Sequence, residues 1–158
     1  MNKMGQCVYS SLFPISYTKI INNIYIGDYR SGIKAINDKE PITHILSLVP
    51  VSEKRQYKYI ENNITLHQYM FDDNPNENII NHFLKLRSLI YNILVIEKGT
   101  LLINCMAGRS RSVSITILTL IYFYNHTFDS AFQLINLKRK VWMNNGFYQQ
   151  IKEYRISK

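Results

Sequence analysis

Cys105 and Arg111 stand six residues apart in Asn104-Cys105-Met106-Ala107-Gly108-Arg109-Ser110-Arg111-Ser112, and that spacing suggests a chemistry. A thiolate is a strong nucleophile, and a guanidinium can grip two oxygens of a tetrahedral anion in a bidentate fork. Thr100 to Asn104 is short and strongly apolar, which reads as a buried strand delivering Cys105 to its carboxyl end. A helix from about Ser110 to Tyr124 follows, so Arg111 falls in its first turn. Ala107, Gly108 and Ser110 are small enough to let the loop between them turn its amides inward. Such a loop at a helix N-terminus is a phosphate cradle. The same positive field favours ionisation of Cys105, since a free thiol has a pKa of about 8.5. A thiolate beside a bound phosphate is placed for in-line attack on phosphorus. Taken alone, a cysteine at a strand end is an ordinary buried residue. The Cys-x5-Arg-Ser spacing between an apolar strand and an apolar helix is what points to catalysis.

The elements that must hold this loop alternate between strand and helix. Lys19 to Ile26 reads as two short strands around the turn dipeptide Asn22-Asn23. Asp28 to Ile36 is a short helix with Asp28 as N-cap. Ile42 to Leu48 is a buried strand ended by Pro50, Glu53 to Ile60 a helical turn, and Ile64 to Phe71 a further strand. Phe71-Asp72-Asp73-Asn74-Pro75-Asn76 is dense in turn formers. From Glu77 to Glu97, Ile79, Phe83, Leu86 and Ile90 recur at helical spacing, and Gly99 ends that helix. Phe128 to Arg139 and Gly146 to Ile156 are two more helices. This order predicts an α/β fold with a central mixed, mostly parallel sheet flanked by helices. Residues 1–14 read as a flexible N-terminal arm and residues 15–158 as one domain.

Bulk properties narrow the choice of function. A chain of 158 residues that is 46% hydrophobic has enough apolar surface for one core. Its two cysteines, Cys7 and Cys105, cannot build a disulfide framework, and free thiols suit a cytoplasmic compartment; the nucleus, or a virion for a viral chain, would also fit. The most apolar segment, Val113 to Tyr124, is too short to span a membrane. A net charge of +8 favours anionic partners: phosphoproteins, nucleic acid or acidic membrane surfaces. The charge is dispersed apart from Lys138-Arg139-Lys140, which reads as a solvated helix end. His44, His67, His82 and His126 are scattered without metal-ligand spacing, so no metal is expected. No module interleaving aromatic and basic residues stands outside the catalytic segments, which argues against nucleic acid as partner.

The run from Cys105 to Ser112 resembles the phosphate-binding loop of the dual-specificity phosphatases, small atypical members of the protein tyrosine phosphatase superfamily, whose pattern is His-Cys-x5-Arg-Ser. Ile24-Tyr25-Ile26-Gly27 is similar to that family's Leu-Tyr-Leu-Gly strand. Ile42-Thr43-His44-Ile45-Leu46-Ser47 is similar to its Ile-Thr-His-Val-Leu-Asn strand. Asn145-Gly146-Phe147 with Gln150-Ile151 looks like its late Asn-x-Gly-Phe…Gln-Leu helix start. The likeness spans about residues 18 to 155. It implies a protein tyrosine phosphatase-like fold that hydrolyses phosphotyrosine and phosphoserine/threonine in proteins through a phosphocysteine intermediate, without cofactor.

In that likeness Cys105 is the nucleophile and Arg111 the phosphate clamp. Met106, Ala107, Gly108, Arg109, Ser110 and Arg111 bind the phosphate, and Ser112 helps the thiolate leave. The family also uses a general acid on an upstream loop. Asp72 and Asp73 are the candidates, and counting back from Phe83 selects Asp73. Asn104 stands where the family has His. An amide can donate and accept hydrogen bonds in support of the loop but carries no charge, which implies a working but weakened nucleophile. Two alternatives follow: a phosphopeptide-binding protein with little or no catalysis, and an RNA 5′-phosphatase. The presence of Asp73 favours protein over RNA substrates. Phosphorylated proteins are thus the expected partners, and a homodimer through the N-terminal arm is one assembly the sequence allows.

Overall fold

Asn22 and Asn23 make a tight turn between β1 (Tyr17–Ile21) and β2 (Ile24–Gly27), an antiparallel pair. The structure, a computed structural model, describes residues 14–155. The expected N-terminal arm, all but its last residue, and Cys7 therefore lie outside the described residues. With β3 (His44–Ser47), β4 (Thr65–Gln68) and β5 (Leu101–Asn104) the hairpin forms one five-stranded sheet of order β1-β2-β5-β3-β4. Every pairing except β1 with β2 is parallel. The sheet is mixed and mostly parallel, as expected. Gly27 and Ser47 both lie opposite Asn104, so β2, β5 and β3 end together at the edge where Cys105 begins.

The central strands alternate between two cores. Ile24, Ile26, Leu46, Leu101 and Ile103 face the larger core, while Tyr25, Ile45 and Leu102 face the smaller. Period-2 alternation forces this, because successive side chains leave opposite faces of the sheet. The smaller face is covered by α1 (Ser31–Asn37) and α2 (Glu53–Glu61), through Ala35 and Tyr59. The larger is covered by α3 (Ile79–Tyr91), α4 (Arg111–Tyr124), α5 (Phe128–Lys138) and α6 (Asn145–Glu153). All residues of α4 from Arg111 to Leu120 are buried. Its Ser114, Thr116 and Thr119 survive there by donating to carbonyls four residues back, each at 2.8 Å.

Several local expectations need correcting. Asp28 does not cap α1. It is buried before the helix and accepts the Arg30 amide at 2.8 Å, the Arg30 guanidinium at 2.9 Å and the Ser16 amide at 3.2 Å. β4 ends at Gln68; the Tyr69 amide still donates to Ser47 O of β3 at 3.0 Å, and Met70 and Phe71 leave the sheet to begin the next loop. α3 closes with a π-helical turn, Asn92–Ile96. The left-handed residue after it is Lys98 (φ 52°) and not Gly99. Gly99 is needed for space instead, because a Cβ there would come within 2.8 Å of Thr43 Oγ1 and 2.9 Å of His44 Nδ1. Among the described residues, Ile79–Ile96 is long and apolar enough, by composition, to cross a membrane. Ile79, Phe83, Leu86 and Ile90 pack into the larger core, the pattern of a core helix.

Candidate active site

The loop from Cys105 to Ser110 leaves β5 and enters α4, and its carbonyls decide its character. Met106 O accepts the Tyr29 amide at 3.4 Å, and Arg109 O accepts the Trp142 amide at 3.0 Å. Between them, Arg139 donates from Nη2 to Ala107 O at 3.5 Å and from Nε to Gly108 O at 2.6 Å. Four successive carbonyls are thus held by donors outside the loop. A trans peptide points its N–H opposite to its C=O, so the amides of residues 107 to 110 turn to the inner side. The amides of Met106, Ala107, Gly108, Ser110 and Arg111 have no acceptor among the described residues. Inward amides at a helix N-terminus form a nest for an anion.

Gly108 lets the loop take this shape. Its φ is +65°, and a Cβ would come within 2.6 Å of Gly27 backbone atoms and of Arg139 Nη2. Cys105 lies at the inner end of β5, 2% exposed, with its Sγ 3.2 Å from Ser112 Oγ. A hydroxyl at that distance can donate to a thiolate. Arg111 is 5% exposed, and its Nη1 donates to Phe71 O at 2.9 Å. Its Nε has no partner among the described residues. A buried guanidinium N–H left unpaired is costly, and a phosphate oxygen would satisfy it.

Asp73 reaches the same place from the loop after β4. Its Oδ1 accepts from Ser110 Oγ at 2.8 Å and from Asn144 Nδ2 at 2.6 Å. The loop is fastened to the start of α6. Asn144 Oδ1 caps that helix through the Phe147 amide at 2.9 Å. Gln150 bridges Glu77 O and the Ile79 amide, both at 3.0 Å. A Cβ on Gly146 would fall 2.0 Å from Pro75 O, so only glycine lets the loop sit so close. On the other side of Phe71, the His82 ring stacks on it with centroids 4.2 Å apart. Burial, with the Glu77 charge adding to it, raises the Tyr69 phenol above its ordinary value. The Tyr69 hydroxyl lies 2.9 Å from His82 Nδ1, and His82 Nε2 lies 2.9 Å from a Glu77 carboxylate oxygen.

A strand-end thiol, an amide nest, a buried arginine and a carboxylate tied to the nest are together the parts of phosphoryl transfer. The family model for the dual specificity phosphatase catalytic domain matches residues 24–157. The chain belongs to this family. It is a cysteine-dependent dual-specificity phosphatase, of the small atypical kind within the protein tyrosine phosphatase superfamily.

Among relatives of this phosphatase is a protein of Invertebrate iridescent virus 6 named for tyrosine phosphatase activity (123R). It is 28% identical over 142 residues, which cover 87% of this chain and 90% of that one. Dual specificity protein phosphatase 13B of Mus musculus is 35% identical over 81 residues, 51% of this chain and 41% of the mouse protein. A mouse dual specificity phosphatase crystallised with zinc tungstate superposes with a TM-score of 0.73 at 22% identity, covering 91% of this chain and 89% of that one. The human tyrosine phosphatase-like serine/threonine/tyrosine-interacting protein gives 0.70 at 24% identity, over 87% and 94%. At these identities the two structures speak for the fold.

The structure brings Cys105, Arg111, Ser112, Asp73 and the loop residues Met106 to Ser110 into one site. Ser110 adds a role the sequence reading did not give it, since its side chain ties the Asp73 carboxylate to the loop. Asn104 needs correction. It is 1% exposed, and among the described residues neither its Oδ1 nor its Nδ2 has a partner, so its side chain does not brace the loop. An amide one carbon from the backbone at a strand end has little reach. The Lys138-Arg139-Lys140 run also departs from expectation. Lys138 and Lys140 are exposed, as a solvated helix end would be, though Lys138 Nζ donates to Ile20 O at 2.7 Å; Arg139 is 9% exposed and is an anchor. Sequence reading missed Arg139 and Asn144. The signal for Asn144 was present, as the first residue of Asn144-Asn145-Gly146-Phe147.

Proposed function

We propose that this phosphatase hydrolyses phosphotyrosine and phosphoserine/threonine in proteins through a phosphocysteine intermediate. The observation that carries the reading is the set of carbonyls from Met106 to Arg109 held outward, which turns the loop amides toward Cys105. In the first step the Cys105 thiolate attacks phosphorus, an S–P bond forms and the P–O bond to the amino-acid side chain breaks. Asp73 gives its proton to the departing oxygen, so the leaving group is a neutral alcohol or phenol. Its Oδ2 accepts no hydrogen bond among the described residues and is the oxygen available to carry that proton. The loop amides and Arg111 bind the non-bridging oxygens as charge redistributes. In the second step Asp73 takes a proton from water, water attacks phosphorus, and the S–P bond breaks. Ser112 donates to the departing sulfur. The thiol must stay reduced for this cycle, which favours a cytoplasmic setting.

A second reading, a phosphopeptide-binding protein with weak catalysis, is favoured by the unpaired amide of Asn104 beside the nucleophile. Both readings require phosphate affinity, but they part on turnover. Phosphate release from an aryl phosphate, a phosphotyrosine peptide and a phosphothreonine peptide should fall by at least about 10³-fold in Cys105→Ser. Release that survives the substitution would refute the thiolate mechanism. Wild-type binding without release would favour the second reading.

A further inference from the structure

α1 and α2 both start where β2 and β3 end, at the catalytic edge of the sheet, and pack against each other as they leave it. Between them runs a groove of about 490 Å³. Lys54, Arg55 and Lys58 of α2 line it, with Ile33 and Ile36 of α1 and three neutral polar side chains; no carboxylate lines it. The cations differ in how they are engaged. Lys58 pairs with Glu61 at 3.1 Å, with both side chains largely in water. Lys54 is exposed and has no carboxylate partner among the described residues. Arg55 is half-buried, its guanidinium 4.7 Å from the Tyr29 ring centroid and its Nη1 donating to Tyr29 O at 3.2 Å. An adjoining depression shares Ile33 and Arg55 but is balanced, because Arg30 pairs with Asp28 and Lys34 with Asp38. The groove between the helices thus carries positive charge in excess of its partners.

The groove is wired to the catalytic loop. Tyr29, which holds the Arg55 guanidinium, gives its amide to Met106 O, next to the nucleophile. Lys54 and Lys58 lie about 6 Å apart along α2, a span that two residues of extended peptide match. Side chains at alternate positions of such a peptide leave on the same side.

We propose that this groove docks an acidic segment of the phosphorylated protein substrate, with carboxylates at alternate positions meeting Lys54 and Lys58 and an intervening aliphatic side chain resting on Ile33 and Ile36. The proposal rests on the phosphatase reading and names the class of phosphoprotein it acts on. It gives specificity through binding, since the groove touches none of the reacting atoms.

The test compares phosphotyrosine peptides whose flanks carry Asp/Glu at alternate positions with peptides carrying Asn/Gln there. Exposed ion pairs are individually small. The acidic flank should therefore lower KM about threefold to tenfold, leave kcat nearly alone, and lose its advantage between about 50 and 500 mM salt as screening shortens. Lys54→Glu/Lys58→Glu, checked for folding by circular dichroism, should abolish the preference and favour Lys-flanked peptides. Lys54→Gln serves the same comparison if the double variant does not fold. Equal kcat/KM for both peptides at low salt, or a preference that survives Lys54→Glu/Lys58→Glu, would overturn the groove. Equal competition by an oligonucleotide of matching charge would overturn the peptide assignment in favour of a general polyanion surface. An aryl phosphate too small to reach the groove reports the catalytic reading separately. If it is not hydrolysed, fluorescence anisotropy of the labelled acidic peptide still decides the groove.

Discussion

Arg139 and Asn104 are both buried against the phosphate loop, and the loop uses only one of them. Arg139 donates to Gly108 O and Ala107 O, and on its other side to Ser16 Oγ, Thr18 Oγ1 and Ile26 O, at 2.6 to 3.5 Å. Asn104, adjacent to the nucleophile, makes no side-chain hydrogen bond among the described residues. Reach and donor number explain the difference. A guanidinium carries five N–H donors in a rigid fork on a long stem, so it can join the loop to the β1–β2 hairpin in one piece. A carboxamide on a single methylene, held in register at the end of β5, cannot leave the strand axis to find a partner. The lesson is that the loop is braced from the carbonyl side, by a residue at the end of α5, and not from the position that precedes the nucleophile.

Arg139→Met should free two loop carbonyls and forfeit hydrogen bonds from a charged group, each worth about 1.5–3 kcal/mol. A fall in kcat/KM of more than about 10²-fold, with a melting temperature several degrees lower, is expected. Arg139→Lys should restore only part of it, because one ammonium cannot hold both sides. Wild-type kinetics and melting in Arg139→Met would show that the loop holds itself. Next in size is Asp73→Asn, which removes the proposed proton donor. It should cost about 10²-fold on a phosphopeptide and much less on an aryl phosphate with a good leaving group. Equal losses on both would take Asp73 out of proton transfer.

Asn144→Ala leaves the loop in place but removes one hydrogen bond to Asp73 and the cap of α6. A cap is worth about 1 kcal/mol, so thermal stability should fall by that order and phosphopeptide turnover severalfold. The smallest effect belongs to Asn104. Replacing an unsatisfied buried amide by an apolar side chain of like size can be neutral or stabilising. Asn104→Leu should therefore change unfolding free energy by no more than about 1 kcal/mol in either direction. Asn104→His introduces a group able to carry positive charge. Alkylation of Cys105 should then proceed at lower pH, and turnover should rise a fewfold. A large destabilisation in Asn104→Leu would mean that the amide has a partner after all, and would erase the contrast with Arg139.

Much of this protein was legible because its decisive signals are local. The short apolar runs in Ile24 to Gly27 and Leu101 to Asn104, the 3.6-residue spacing from Ile79 to Ile90, and the Cys-x5-Arg run between strand and helix each depend on neighbours in the chain. They determined the α/β class, the strand order along the chain and the loop that carries Cys105 and Arg111. Tertiary structure decided what those residues touch. Arg139 lies 31 residues from Gly108 and 123 from Ser16, and Asn144 lies 71 from Asp73. Hydrogen bonds of that separation leave no periodic mark in a sequence, since they are set by how helices pack across a sheet. For the same reason the arginine of a Lys-Arg-Lys run that looks solvated became the support of the loop, while an asparagine that looked like a brace has no side-chain partner among the described residues.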